Sequence, residues 1–539
     1  MADSGIPFRF TRHARIGEAG AEQDDEFLFN NFEDVGDYEE LQSLRSVKRI
    51  VLGRTGSGKT ALLRYLLHRE DHVIPLEPEQ LSLDYIANNH VIRFFEDLGV
   101  KLDLFYGLLW KHVLVVELLK HKFSLNTEEK TQSWVSSISE NLRKKDQGKL
   151  RAFQYIKDWG DKFWIETESR VKELTTKLSG ELEAKGGVPV FSAGASAQMS
   201  EEKKIEYVER GQRIVSEIQI KELDDVIKFL DEDVFTDPQK PYYITIDKLD
   251  EDWVDESIRY KLIRSLIETV KKFQRIKNVK IIMALRFDLY EKVIKETTDA
   301  GFQSEKYDAL LLSLRWNSKQ IVSLLDKRVG SLVKEQYTAR PVSLIDLFPE
   351  RVGNVKFVEY LMARTALRPR DAIVFVNDCI QLSEDTNRVT AGTVTEAEKK
   401  YSTGRRRALL DEWKNLYPSL ATCLPLIEGR DIEFKLSSID KEKIELFALE
   451  ITENDDNSGK AASDYYAGKV TDYHIITANI FRMFFDIGLV GFKLEGRGQT
   501  IWPSSDVTPD VSFIKTNTKA VVHPMFYQAF NIKFKDEVE

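Results

Sequence analysis

The chain has 539 residues, 42% of them hydrophobic and 31% charged, with a formal net charge of −10. That balance excludes wholesale disorder, the length implies roughly two to four domains, and the acidic excess argues against a surface that coats nucleic acid non-specifically. Two cysteines, Cys379 and Cys423, are too few for a disulfide scaffold or a cysteine-based zinc site and suit a reducing interior. The N-terminus lacks the pattern of a signal peptide. The most apolar window, 104–119, is interrupted by Lys111, His112 and Glu117, so a cytoplasmic protein without membrane association is expected.

Residues 1–26 are polar, with an acidic run at 22–26, and read as a flexible leading segment. A short helix is expected at 37–41. An apolar run at 50–52 then leads, like a buried strand, into Gly53-Arg54-Thr55-Gly56-Ser57-Gly58-Lys59-Thr60, a complete G-x-x-x-x-G-K-[ST] pattern. Ala61, Leu62, Leu63, Leu66 and Leu67 continue at helical spacing. In such a strand–loop–helix unit, glycines let backbone N–H groups turn around phosphate oxygens, and the helix N-terminus favours negative charge. Lys59 would reach the β- and γ-phosphates of a bound nucleotide and the Thr60 hydroxyl would ligate Mg²⁺. A second strand is expected at 72–76, adjacent to the first.

Residues 91–98, 102–122, 149–185 and 201–230 carry apolar residues at helical spacing, with a small-residue break at 186–196. They read as a helical hairpin inserted into the nucleotide domain over 91–234, either a sensor arm or a solvated packing arm. The core returns at 241–253, a buried-type strand ending in an acidic cluster. Asp247 stands at its carboxyl end, where a Mg²⁺ ligand belongs, and Asp250 or Glu251 could orient an attacking water. The cluster could equally be a polar turn, with Asp250 as a helix cap. A helix at 258–273 leads to another buried strand, 279–288, delivering Arg286 to the same sheet edge. There it either reads a γ-phosphate or pairs with Asp288.

Asn317 and Gln320 read as a capping box that opens a helical lid. Arg368 and Arg370 precede a further helix at 372–382. Cations at that end oppose the helix dipole, so a bound phosphate or carboxylate would compensate them, and both are site candidates. Lys399, Lys400, Arg405, Arg406 and Arg407 form a basic cluster. An apolar helix followed by a turn over 479–491, then strand-like pieces at 491–494 and 500–502, outline a winged helix. Residues 471–539 hold seven Lys/Arg against eight Asp/Glu, poor material for neutralising DNA phosphates, so a protein-contact role is preferred for the wing.

This order of motifs resembles the additional-strand class of P-loop ATPases, above all bacterial relatives of STAND (NACHT-like) and origin-recognition-type AAA+ proteins. The residues carrying the resemblance are the loop 53–60, the strand end Asp247-Lys-Leu-Asp-Glu251 (similar to D-G-L-D-E), Arg286 at a sensor-1 position, and Leu-Arg-Pro-Arg-Asp at 367–371, which looks like a lid or sensor-2 motif. The resemblance implies an α/β P-loop NTPase with a parallel sheet, a helical lid and a C-terminal winged helix. The expected domains are a flexible segment (1–26), an ATPase core (27–90 and 235–310), the insertion (91–234), the lid (311–390) and the winged-helix domain (391–539). It further implies ATP and Mg²⁺ as cofactors, hydrolysis driving a switch, homo-oligomerisation, a protein partner, and a role in antiphage defence. The alternative is a DNA-binding ATPase of loader or repair type, using the wing and the cluster at 399–407.

Overall fold

The structure, a computed structural model, describes residues 8–80, 102–124, 155, 209, 227–297, 305–334, 336–494, 498–503 and 509–533. It divides into two compact units, Asp34–Arg315 and Met1–Glu33 with Trp316–Glu539. Most of the predicted insertion lies outside the described residues.

The first unit is an α/β P-loop NTPase fold. Its sheet contains β1 (Ile50–Gly53), β2 (Val73–Leu76), β3 (Tyr242–Ile246), β4 (Val279–Arg286) and β5 (Leu311–Ser313), in the order β2-β3-β4-β1-β5 with every pairing parallel. Such strands are covered on both faces and therefore run as unbroken apolar stretches: β3 is buried at all five positions and β4 at its first seven. The strand predicted at 72–76 exists, but its expected place beside β1 is corrected. β2 pairs with β3, and β4 separates β3 from β1. Strand order is a property of crossover connections that local pattern does not encode.

The helix Asp103–Phe123, assigned from sequence to the insertion, belongs instead to the core of this unit. Tyr106, Leu109, Trp110, Leu114, Leu118 and Leu119 are fully buried, and Trp110 Nε1 donates to Leu262 O at 2.9 Å on the helix Glu256–Phe273. Burial on nearly all sides explains the apolar window at 104–119. Among the described residues, no helix is long and apolar enough to cross a membrane. Beside the first residues of β3 and β4, the short helix Asp37–Gln42 docks through its carbonyl end. Tyr243 Oη donates to Gln42 O at 2.7 Å, and Lys280 Nζ donates to Glu40 O at 3.0 Å and Ser43 O at 2.8 Å.

The second unit joins the predicted lid and winged helix in one continuous apolar core. Asn317 and Gln320 form the predicted capping box, each backbone N–H bonded to the other's side chain at 2.8 and 3.0 Å, and start the helix Ser318–Lys334. A two-stranded hairpin, β6 (Arg351–Val352) and β7 (Val355–Lys356), precedes the helices Phe357–Thr365, Pro369–Gln381 and Ala391–Trp413. The winged helix comprises β8 (Glu433–Lys435), the helices Lys441–Glu450, Asn457–Tyr466 and His474–Asp486, then β9 (Val490–Lys493) and β10 (Lys519–Val522), in an antiparallel sheet ordered β8-β10-β9. The strand predicted at 500–502 is reduced to a single bridge, Phe492 to Ile501, and the ladder partner of β9 is β10.

The leading segment is likewise corrected. From Phe8 onward it is packed into the second unit: Phe8, Phe10 and Ile16 are fully buried, Phe10 N donates to Thr386 O at 2.9 Å, and Asn377 bonds both Ile16 N and Gly17 O. Three apolar side chains and one internal ion pair, Asp24 with Arg328, outweigh the polar composition of the stretch.

Candidate nucleotide site

β1 ends at Gly53 and the helix Lys59–Arg69 begins six residues later, so the loop between them turns at the carboxyl edge of the sheet. Gly56 and Gly58 have φ of +78° and +97°, in the left-handed region that glycine enters without a Cβ clash. Gly53 is required for another reason. A Cβ there would meet Ser57 Oγ at 2.2 Å, and Ser57 is itself buried. The Thr55 hydroxyl oxygen is buried without a hydrogen-bond partner. Lys59 Nζ lies over the same loop, donating to Gly53 O at 3.1 Å and Arg54 O at 3.3 Å. Burial pushes its ammonium below the usual lysine range, against the pull of the Asp250 and Asp247 carboxylates.

The decisive juxtaposition is between this loop and the end of β3. Asp247 accepts a hydrogen bond from Lys248 N at 2.9 Å, and the Thr60 side chain lies close enough to favour its ionised form. Burial raises its carboxyl above the ordinary aspartate range; the Thr60 side chain and the Lys248 hydrogen bond oppose that shift, and Asp250 adds to it. A hydroxyl and a carboxylate are thus brought together from two elements at one sheet edge. Among the described residues, no three His, Cys, Asp or Glu side chains converge as a metal cage. The Thr60–Asp247 pair is instead a sparse oxygen set of the kind that could hold Mg²⁺ together with phosphate oxygens.

After Asp247 the chain makes a tight turn, Glu251 N donating to Lys248 O at 3.2 Å. Lys248 adopts φ of +59°, a left-handed backbone uncommon for a side chain of its size, and its Nζ pairs with Glu77 at 3.0 Å. Asp250 does not cap the following helix; Asp255 holds that position. Glu251 is anchored through its carbonyl, which accepts from Arg259 Nη1 at 2.8 Å. Its carboxyl is raised, first by burial, then by Asp250, Glu79 and Glu77, while Lys248 lowers it.

Arg286 ends β4 and makes a two-pronged contact with Asp288: Nε to Oδ1 at 3.1 Å and Nη2 to Oδ2 at 2.8 Å. Its Nη1 faces Asp250 Oδ2 at 3.8 Å. The salt bridge anticipated from sequence is therefore formed, and it leaves the guanidinium beside the acidic turn. Lys59, Asp247, Asp250, Arg286 and Asp288 form one charge cluster, each of the other four acting on the Lys59 ammonium.

Arg368 and Arg370 belong to the second unit. Arg368 precedes the helix Pro369–Gln381, and its Nη1 lies 3.8 Å from Asp371, a fully buried carboxylate that Arg405 also approaches at 3.2 Å. Arg370 Nε donates to Ala19 O at 3.0 Å. An internal carboxylate thus faces the cation at this helix start. The basic cluster is partnered in the same way: Lys399 with Glu396, Lys400 with Asp378, Arg405 with Asp371, and Arg406 with Glu428. Spread around one helix and matched with carboxylates, these cations do not make a patch of uncompensated charge. Sequence reading missed Glu77, whose role depends on a distant residue, and Lys248, whose unusual backbone leaves no mark in composition.

Residues 319–410 match a family model described as the FunZ-associated C-terminal helical domain. A cysteine–tRNA ligase of Prochlorococcus marinus subsp. pastoris is 34% identical over 107 residues, covering 17% of this chain and 21% of that enzyme. The matched stretch thus spans about a fifth of the length of that curated relative. A Walker-type ATPase of Pyrococcus abyssi aligns with a TM-score of 0.37 and 14% identity over 94% of this chain and 97% of its own.

Proposed function

We propose that the chain is an ATP-binding and ATP-hydrolysing switch of the STAND/AAA+ type. The observation that carries this reading is the placing of the Thr60 side chain against the Asp247 carboxylate, which brings the phosphate loop to the end of β3. The insertion of β4 between the loop strand and β3 also supports it, since that is the additional strand of the resemblance.

In this reading the backbone of residues 53–60 and the Lys59 ammonium hold the nucleotide phosphates, and Thr60 and Asp247 hold Mg²⁺. An ion held by Thr60 and Asp247 would supply positive charge to offset that of the phosphates. Asp250 or Glu251 orients the attacking water, and Arg286 contacts the γ-phosphate. A neighbouring subunit could supply an arginine finger, worth about 10³ to 10⁵ in rate, so a homo-oligomer and a protein partner belong to the proposal. The link to antiphage defence rests on the family resemblance. The DNA-binding alternative is less favoured because four of the five cations in the 399–407 cluster are paired with carboxylates.

The test is Lys59→Ala in the full chain, followed by ATP binding and phosphate release. Both should be lost, because the phosphates lose their cation and the pocket loses a charge that balances Asp247 and Asp250. Undiminished binding and turnover would refute the assignment.

A further inference from the structure

Arg286 stands where strand geometry and a helix start meet. It is the last residue of β4 and immediately precedes the helix Phe287–Glu296, whose second residue is Asp288. A carboxylate in the first turn of a helix is favoured by the helix dipole and is held by a rigid element. From that position Asp288 grips one edge of the guanidinium with both oxygens, on Nε and Nη2. The opposite corner, Nη1, is directed toward Asp250 at 3.8 Å, inside the charge cluster that surrounds Lys59. The Arg286 side chain is 16% exposed, against 37% for Asp250, so the fork is sunk at the sheet edge while the acidic turn stays open to water.

An arginine without such a grip samples many rotamers, and here it has a competing carboxylate within reach. If the Asp288 contact were absent, the guanidinium could close on Asp250, turning its planar fork away from phosphate and engaging a carboxylate proposed to orient water. We propose that Asp288 is a positioning residue. It fixes the Nε/Nη2 edge of Arg286 so that Nη1 is presented to the γ-phosphate, and so sets the preference for triphosphate over diphosphate. This rests on the proposed reading of Arg286 as the γ-phosphate contact.

The experiment measures dissociation constants for Mg²⁺-ADP and for a Mg²⁺-bound non-hydrolysable ATP analogue with the full chain. The proteins are wild type, Arg286→Ala, Asp288→Asn, Asp288→Glu, and the Arg286→Ala/Asp288→Asn double variant. Loss of one charge-assisted contact corresponds to about tenfold or more. Arg286→Ala should therefore reduce the triphosphate preference about tenfold, with ADP affinity unchanged. Asp288→Asn should reduce it in the same direction, Asp288→Glu should restore most of it, and the double variant should fall no further than Arg286→Ala alone. A purely structural role would weaken both nucleotides together and would add to the Arg286→Ala effect; either result overturns the inference. A wild-type preference in Asp288→Asn beside a collapsed one in Arg286→Ala overturns it while leaving the Arg286 assignment standing. An unchanged preference in Arg286→Ala removes that assignment and the inference with it.

Discussion

Gly53 and Arg286 are register partners in adjacent parallel strands, so the residue that opens the phosphate loop lies beside the arginine that closes β4. The loop root has no spare room on its own side either, since a Cβ on Gly53 would sit 2.2 Å from Ser57 Oγ. Gly53→Ala should therefore displace the loop, weakening nucleotide binding about tenfold or more, while costing about 1–3 kcal/mol of stability as an overpacked site. Gly58 differs: nothing lies within 4 Å of an added Cβ, but its φ is +97°. Gly58→Ala should cost about 1–2 kcal/mol through backbone strain alone. Titration calorimetry and urea unfolding on both variants check this, and wild-type nucleotide affinity in Gly53→Ala would show that the loop absorbs the clash.

Lys248 occupies the left-handed region at φ +59° and holds Glu77 at 3.0 Å. Two opposing contributions meet there. The backbone costs about 1 kcal/mol or more relative to glycine, and a half-exposed ion pair returns about 0–1 kcal/mol. Lys248→Gly, which relieves the first and loses the second, should leave stability near wild type. Lys248→Ala keeps the strain and loses the pair, so it should be the less stable of the two by about 1 kcal/mol. Equal denaturation midpoints for the two variants would show that the backbone at 248 is not strained.

The parts of the fold legible in sequence are those with a local cause. The loop 53–60 has fixed chemistry, β3 and β4 are unbroken apolar runs, and Asn317 with Gln320 is a short-range hydrogen-bond pair. What was not legible depends on distance. The partner of β2 is set by crossovers of many residues, and Arg328 meets Asp24 across 304 positions. The helix Asp103–Phe123 reads as an arm until Trp110 is seen bonded to Leu262. In the candidate site, the strand-end carboxylates announce themselves. The Thr60 contact to Asp247 and the grip of Asp288 on Arg286 exist only once strands β1, β3 and β4 lie side by side.

Lys280 should make stability depend on pH in a window of its own. It is fully buried at the second position of β4, and burial, followed by repulsion from Arg49, pushes its ammonium from 10.5 down to about 7, while Glu40 opposes the shift. The unfolded chain therefore binds the proton more tightly than the folded one between these values. Stability rises with pH across that window and is lost again as pH falls toward 7, with a slope of at most about 1.4 kcal/mol per pH unit. Lys280→Met leaves the carbonyls of Glu40 and Ser43 without this donor and should lower stability, but its unfolding free energy should be flatter than wild type from pH 7 to 10. The difference between the two curves isolates Lys280 from the tyrosines and cysteines that also titrate there. Parallel curves would mean that the buried amine keeps its ordinary proton affinity.

Asp24 and Arg328 form a buried ion pair, 2.6 Å between Oδ2 and Nη2, with side chains 4% and 3% exposed. Arg328 Nη1 also donates to Ile16 O at 2.9 Å, and Asp24 accepts from Glu18 N at 2.7 Å, so the pair fastens the leading segment to the helix Ser318–Lys334. Gly17 lies against both: a Cβ there would meet Arg328 Nη1 and Asp24 Oδ1 at 2.2 and 2.4 Å. Asp24→Ala strands a guanidinium in the interior and should cost about 3–5 kcal/mol, whereas replacing both charges, Asp24→Leu with Arg328→Met, should cost much less. Denaturant midpoints measure the energies, and limited proteolysis within residues 8–24 reads whether the segment detaches. The burial of Phe8 and Phe10 contributes about 1.5–3 kcal/mol each, comparable to the pair itself. If Asp24→Ala keeps the wild-type midpoint and resists cleavage, those two rings hold the segment, and the ion pair supplies only its register.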